Sequence, residues 1–412
     1  MSGIISSTSN TYHHHHHHGY TSQASSSSFR YTILLGSIFL FILFSNSEQQ
    51  HTLFPFLRSS DKSHLTNPPT PSPVPPSCTC DSAAKHYLSV RPCSGLVNQQ
   101  YTIAHGALLA AYLGVDLYIE DTGTRTSFQD ADYKDSKRLP AKEFYNVPII
   151  INEPNIKVNI VGELPPYLQK CTFPEDSFYR RKANLDSSLL YLYDKLDISC
   201  GIRIDCAFWG VKIHNEEERQ NLITVLKYLQ PNIPIQKMIN YIMNNLEKAT
   251  KTSIGSLDLP DMDSKSIGKK YYAAIHLRIE PDMNQGKALP VPQDDVLRQL
   301  QALNIPKGIA IYVASGIAEE IMDQLPEGYQ WFNRYTLLSS QAELNTIAKS
   351  MMAEQLALVD LVICESAAYF IGDVRSTFSI ASAVVHQMSN VGWYYGSLSM
   401  WADNAPLLGL PR

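Results

Sequence analysis

The chain predicts an α/β fold in which parallel sheets are covered by helices, arranged as two lobes. Three observations predict it. From residue 78 onward, short apolar runs alternate with helical stretches, the pattern of strands joined by helical crossovers. The chain has 412 residues and 44% hydrophobic content, enough for two core-bearing lobes of roughly 150 residues each plus a tail. The composition also changes sharply at residue 78, where a Pro-rich stretch gives way to this alternation.

Residues 1–30 are rich in Ser and Thr and include the histidine run His13 to His18, a natural tract or an expression tag. They carry no apolar periodicity and predict a disordered tail on the cytosolic side. Tyr31 to Phe44 is apolar and uncharged. As a helix it would reach only about 21 Å against a bilayer core of about 30 Å. Extended over 31–45 it predicts a signal anchor in a thin early-secretory membrane, with cleavage after the run as the alternative. Arg30 precedes it and the next cation is Arg58, which places the N-terminus in the cytosol and the remainder in the lumen. Residues 46–77, ending in the segment Asn67 to Pro76, predict an extended stem.

Strands are expected at His86–Val90, Val115–Ile119, Tyr272–Leu277, Ile309–Ala314, Leu361–Cys364 and Ala368–Ile371. Helices are expected at Gln99–Leu113, Asp186–Leu196, Glu216–Leu229, Leu344–Val359 and Ser376–Met388. Gly114 is placed as a helix stop. The polar segment Lys251 to Lys270 predicts the connection between an N-terminal lobe, 78–265, and a C-terminal lobe, 266–412.

The net charge of −5 and a pI near 6.2 give no basic field for nucleic acid. Seven cysteines, at positions 78, 80, 93, 171, 200, 206 and 364, all follow the apolar segment and lack zinc-site spacing. In a secretory compartment six of them read as disulfide partners in an order that spacing cannot choose, with several free thiols as the alternative, and Cys364, inside an apolar run, is the odd thiol.

Three constellations carry chemistry. Pro92 to Gln99 joins a strand to a helix through Gly95, so that backbone N–H groups can meet an anion, or Asn98 simply caps the helix. His276, Arg278 and Glu280 are alternate residues at the end of an apolar strand, followed by Asp282, where open α/β sheets bind ligands. Arg278 offers a planar fork for two phosphate oxygens, or a structural partner for Glu280. Asp360 to Ser379 leads through Gly372 to Ser376 and Thr377, whose hydroxyls and first free N–H groups suit a diphosphate or a plain helix cap.

These segments resemble the GDP-fucose protein O-fucosyltransferases. His276-Leu277-Arg278 is similar to the family's strand motif. Asp360-Leu361, Phe370-Ile371-Gly372 and Ser376-Thr377-Phe378 are similar to its terminal motif, and Asn98-Gln99 fall in register with its N-terminal loop. The resemblance implies a GT-B-type fold of two Rossmann-like lobes, the C-terminal one binding the nucleotide sugar and the N-terminal one facing the acceptor.

It also implies residue roles. Arg278 would bind the β-phosphate and stabilise departing GDP. His276, Ser376, Thr377 and Phe378 would hold the donor, and Asp360 would read the guanine edge. Gly95 and Asn98 would face the sugar or acceptor, and Glu280 or Asp282 would be the nearest candidates for a base. One departure stands out: Gly95-Leu96-Val97 carries no Arg where family members often have one.

The implied activity is inverting, metal-independent fucosyl transfer from GDP-fucose to a hydroxyl of a protein or glycan, in the Golgi or endoplasmic reticulum as a single-pass type II membrane protein. No cofactor is expected. Asp261-Met262-Asp263 only superficially fits an Asp-x-Asp metal motif. Two other readings stay open: a related donor such as UDP-rhamnose on polysaccharide, and an inactive member that binds a sugar nucleotide or glycan.

Overall fold

The computed structural model describes residues 86–92, 94–125, 137–169, 175–176, 200–205, 216–254, 270–281, 287–386 and 390–396. The tail, the apolar segment 31–45, the Pro-rich stretch, Asp186–Leu196, Asp261–Asp263, Asp282 and every cysteine except Cys200 and Cys364 lie outside them. No helix among the described residues is long and apolar enough to cross a membrane.

The first sheet contains β1 (Tyr87–Arg91), β2 (Asp116–Ile119), β5 (Ile149–Glu153), β6 (Ile156–Val161), β7 (Glu175–Asp176) and β8 (Gly201–Asp205), in the order β5-β6-β2-β1-β8-β7. β1 runs parallel to both β2 and β8, and only the edge pair β5–β6 is antiparallel. A small antiparallel ribbon joins β3 (Thr122–Thr124) to β4 (Lys137–Leu139). The second sheet contains β9 (Lys270–His276), β10 (Ala310–Ala314), β11 (Gln330–Phe332), β12 (Ala367–Asp373) and β13 (Val391–Tyr395), all parallel, in the order β11-β10-β9-β12-β13. The α/β class and the parallel sheets match the expectation.

Nine α-helices are described: α1 (Leu96–Leu113), α2 (Glu216–Tyr228), α3 (Ile233–Ile254), α4 (Gln293–Ala302), α5 (Ala318–Ile321), α6 (Arg334–Leu338), α7 (Ala342–Ser350), α8 (Ala353–Ser366) and α9 (Thr377–Val385). α1 stops where expected: Gly114 takes the left-handed conformation, with φ 68°, and its N–H closes on Ala110 and Ala111 carbonyls. Gly106 lets α1 lie against β1, because a Cβ there would stand 2.4 Å from Val90 Cγ1. α3 runs into the expected connection, so that Lys251 to Ile254 are helical; it packs on β9 and β10, and Thr250 Oγ1 accepts the Ala310 N–H at 2.9 Å.

Two expectations fail. Leu361–Cys364 is not a strand but the last part of α8. The helix is buried on nearly every side, against α1, α3, α9 and β9, so its apolar residues show no one-sided periodicity and a short stretch reads as a buried strand. The single helix expected at Leu344–Val359 is two, α7 and α8, separated at Met351 and Met352, whose backbones are extended.

The largest apolar cluster runs through both sheets, from Leu88 and Leu117 to Tyr272 and Phe370. A second cluster covers the other face of the five-stranded sheet. β9 is therefore buried on both faces, which explains the apolar run Tyr271–Ile275 within it. Cys364 is a free, fully buried thiol, as its apolar surroundings require.

Candidate active site

The candidate site forms where β9 and β12 end and α9 begins. β9 ends at His276, a central strand position, so the next residues leave the sheet at its carboxyl edge. The strand does not continue to Glu280, but Arg278 and Glu280 still meet: Arg278 Nη1 donates to Glu280 Oε2 at 2.8 Å. The guanidinium is 24% exposed and the carboxylate 5%. The Glu280 carboxylate also accepts the Gly316 N–H at 2.8 Å and the Ser315 hydroxyl at 3.3 Å, both from the end of β10.

Burial alone would raise the Glu280 pKa. Arg278, His276 and the Gly316 N–H outweigh it and leave the carboxyl below its usual range. A buried carboxylate with both oxygens engaged and a lowered pKa is a poor base. Its geometry is that of a holder for Arg278.

His276 faces the start of α9. Its Nδ1 lies 2.8 Å from Ser379 Oγ, and its ring stacks on Phe378 with centroids 4.1 Å apart. Burial lowers its pKa to about 4, with Glu280 opposing and Arg278 assisting, so the ring is neutral at neutral pH. The Asp373 N–H, at the end of β12, also reaches Ser379 Oγ at 3.0 Å. This close approach needs Gly372, where a Cβ would stand 2.7 Å from Ser379 Cβ. The glycine of the terminal motif thus fits α9 against β12.

Ser376 is the N-cap of α9, but its side chain makes no capping hydrogen bond. The first N–H groups of a helix have no intrahelical partner and carry partial positive charge. Thr377 opens the helix and Phe378 follows it against His276. The structure therefore brings His276, Arg278, Glu280, Ser376, Thr377 and Phe378 to one end of one sheet.

Asp360 is elsewhere. It sits in mid-α8, 3% exposed, with Tyr312 donating to Oδ1 at 2.6 Å and Arg334 ion-paired to Oδ2. Arg334 is 1% exposed; burial would lower its pKa, but Asp360 outweighs that and holds it charged. Both Asp360 oxygens are consumed inside the core, so the expected contact with a guanine edge does not fit.

Gly95 and Asn98 lie at the start of α1, at the carboxyl end of β1 in the other sheet. Gly95, not Asn98, is the N-cap. Gln99, fully buried, fixes the turn by donating to Ser94 O at 2.6 Å and Gly123 O at 2.8 Å. Among the described residues neither Gly95 nor Asn98 is hydrogen-bonded to the His276–Arg278 cluster.

Three partners of the site had no assigned role: Ser379, Asp373 and Tyr394. The Tyr394 hydroxyl accepts the Arg278 N–H at 2.9 Å and lies 3.4 Å from Asp373 Oδ2. Burial raises its pKa, and Asp373 adds to this, so it stays protonated. Ser379 lies one residue past the motif; the helical start at Thr377 was the available signal.

Solved structures similar to this chain are fucosyltransferases. NodZ from Bradyrhizobium is 13% identical with a TM-score of 0.41, over 72% of this chain and 91% of that one. A mutant of Arabidopsis thaliana FUT1 in complex with GDP is 12% identical with a TM-score of 0.38, over 76% and 70%. POFUT1 in complex with GDP-fucose is 12% identical with a TM-score of 0.39, over 76% and 98%. No curated protein matches the chain. The family model described as GDP-fucose protein O-fucosyltransferase matches residues 87–385, nearly the whole described region, and the chain, a glycosyltransferase, belongs to that family.

Proposed function

We propose that this protein transfers fucose from GDP-fucose to a hydroxyl of a protein or glycan acceptor, with inversion and without a metal. The observation that carries the reading is that His276, two residues before Arg278 at the end of β9, packs on the uncapped start of α9 through Phe378 and Ser379. Breaking the anomeric C–O bond leaves a diphosphate with growing negative charge beside an oxocarbenium-like sugar. A guanidinium held in place by Glu280 and the first helical N–H groups, at Thr377 and Phe378, stabilise that charge without reorganising. Neutral His276 helps hold the nucleotide. Gly95 and Asn98 stand on the acceptor side, across the 78–265 lobe.

The same reading places residues 31–45 in the membrane of the Golgi or endoplasmic reticulum, with 46–77 as a stem and the catalytic lobes in the lumen. Disulfide pairing of the cysteines that follow the apolar segment would suit the same oxidising compartment.

One observation keeps a second donor in play. Because Asp360 is spoken for by Arg334 and Tyr312, it supplies no preference for guanine. A UDP-linked sugar such as UDP-rhamnose therefore remains the runner-up. The absence of Arg from Gly95-Leu96-Val97 supports an inactive binder as the third reading.

Thermal shift of the full chain with GDP and with UDP, followed by turnover from GDP-fucose in the presence of a chelator, separates the three. Stabilisation by GDP and chelator-resistant turnover, lost in Arg278→Ala, is the expected result. Stabilisation by UDP alone selects the second donor. GDP binding without turnover on any acceptor selects the third, and chelator-sensitive turnover removes the metal-free mechanism.

A further inference from the structure

Arg375 lies in the turn between β12 and α9, two residues before Thr377. Three restraints fix it. Nε lies 3.0 Å from Asp373 Oδ1 and Nη2 lies 2.6 Å from Oδ2. Its own backbone N–H donates to Asp373 Oδ1 at 2.8 Å. One face of the guanidinium covers the Tyr395 ring, 3.6 Å from the centroid. Asp373 is fully buried, whereas the Arg375 side chain is 31% exposed. A guanidinium that turns its Nε–Nη2 edge to a carboxylate directs Nη1 the other way.

Arg278 is built on the same plan. It too is a partly exposed guanidinium held by a buried carboxylate, Glu280. The two stand at the ends of adjacent parallel strands, β9 and β12. Tyr394 links them, through the Arg278 N–H and Asp373 Oδ2. The uncapped start of α9 follows Arg375 directly.

We propose that Arg375 is a second diphosphate-binding residue, sharing the donor's two phosphates with Arg278. This rests on the placement of a nucleoside diphosphate at the start of α9. Two fixed guanidinium charges and a helix N-terminus match the charge of a departing nucleoside diphosphate better than one Arg could. The Asp373 carboxylate and the Tyr395 ring then serve to pre-orient the side chain, so that little rotamer entropy is lost on binding.

Calorimetric titration of the full chain with GDP and UDP, each against its nucleoside, tests this in wild type, Arg375→Met, Arg375→Lys and Arg278→Met. Arg375→Met should weaken the preferred diphosphate roughly tenfold or more and leave its nucleoside unchanged, a selectivity that a purely structural tie between β12 and β13 would not produce. Arg375→Lys should recover part of the loss, since it keeps the charge and lacks the fork. Should Arg375→Met not fold, a diphosphate affinity weakened in Arg375→Lys with the nucleoside unchanged supports the proposal on its own. Diphosphate affinity within about twofold of wild type in the variant that folds, with Arg278→Met impaired, overturns the role of Arg375 alone. A wild-type protein that binds neither diphosphate more tightly than its nucleoside overturns this inference and the proposed function together.

Discussion

Arg278–Glu280 and Arg334–Asp360 are both guanidinium–carboxylate pairs, and they differ in where the charge can go. The side chains of Arg334 and Asp360 are 1% and 5% exposed, enclosed by Tyr312 and the Ser315 carbonyl. All of the interaction is spent between α6, α8 and β10. Arg278 is 24% exposed while Glu280 is 5% exposed, so one partner is fixed and the other faces outward. A pair buried on both sides holds a fold together. A pair buried on one side presents a positioned charge to whatever enters. The two are continuous through Ser315, whose carbonyl faces Arg334 and whose hydroxyl faces Glu280.

The same substitution at both sites should therefore give opposite readouts. Arg334→Met leaves the Asp360 carboxylate buried without its partner, a loss of about 3–5 kcal/mol of stability, seen as a large drop in denaturation midpoint. Whatever protein remains folded should bind nucleotide normally. Arg278→Met leaves Glu280 with the Gly316 and Ser315 donors and costs roughly 1–2 kcal/mol. Turnover should fall about 100- to 1000-fold, the range for removing one donor to developing charge. Equal stability losses with unchanged turnover in Arg278→Met would erase the distinction.

That distinction was only partly legible in the sequence. The strands were: β9, β10 and β12 each carry an apolar run because both faces are buried, and their bounds fall within two residues of expectation. α8 was misread because burial on nearly all sides removes the helical signature. α3 went unmarked although Ile235, Met238, Ile239, Ile242 and Leu246 are spaced on one helical face; its several Asn residues are weak helix formers and masked the pattern.

In the site, His276, Arg278, Ser376, Thr377 and Phe378 were visible as short motifs. Their partners Ser379, Asp373 and Tyr394 were not, because pairing across β9, β12 and β13 depends on register. Asp360 misled for a related reason. An Asp beside a motif looks available until the buried cation opposite it, 26 residues away in sequence, is seen.

A next pair of variants asks whether fit, rather than charge, positions the site. Gly106→Ala and Gly372→Ala both force a Cβ into a helix–strand contact, at 2.4 Å from Val90 Cγ1 and 2.7 Å from Ser379 Cβ. Each should lose about 1–3 kcal/mol of stability. Only Gly372→Ala moves the start of α9 away from β12, so only it should also weaken nucleoside diphosphate binding, measured by titration on the folded fraction. Equal binding losses in both would mean that the start of α9 is not what the nucleotide meets.

The last effect vanishes at neutral pH and belongs to His276, which is buried at the site. Native His276 takes up a proton only near pH 4, because burial disfavours the imidazolium; the unfolded chain does so near the ordinary 6.5. Above about pH 6.5 neither state is protonated there and His276 contributes no pH dependence. As pH falls from 6.5 toward 4, the unfolded state gains a proton that the native state refuses, so stability declines across that window and levels off below it. The full decline is of order 3–4 kcal/mol at most for one such group, roughly 1.4 kcal/mol for each pH unit of the window. His105, also buried and lowered to about 4, acts in the same direction from the other sheet. His276→Gln should therefore flatten part of the acid slope and leave the share of His105, which urea midpoints at pH 7, 5 and 4 would read. An unchanged slope would mean that native His276 accepts its proton as readily as the unfolded chain does, and the neutral ring at the nucleotide's edge would have to be given up.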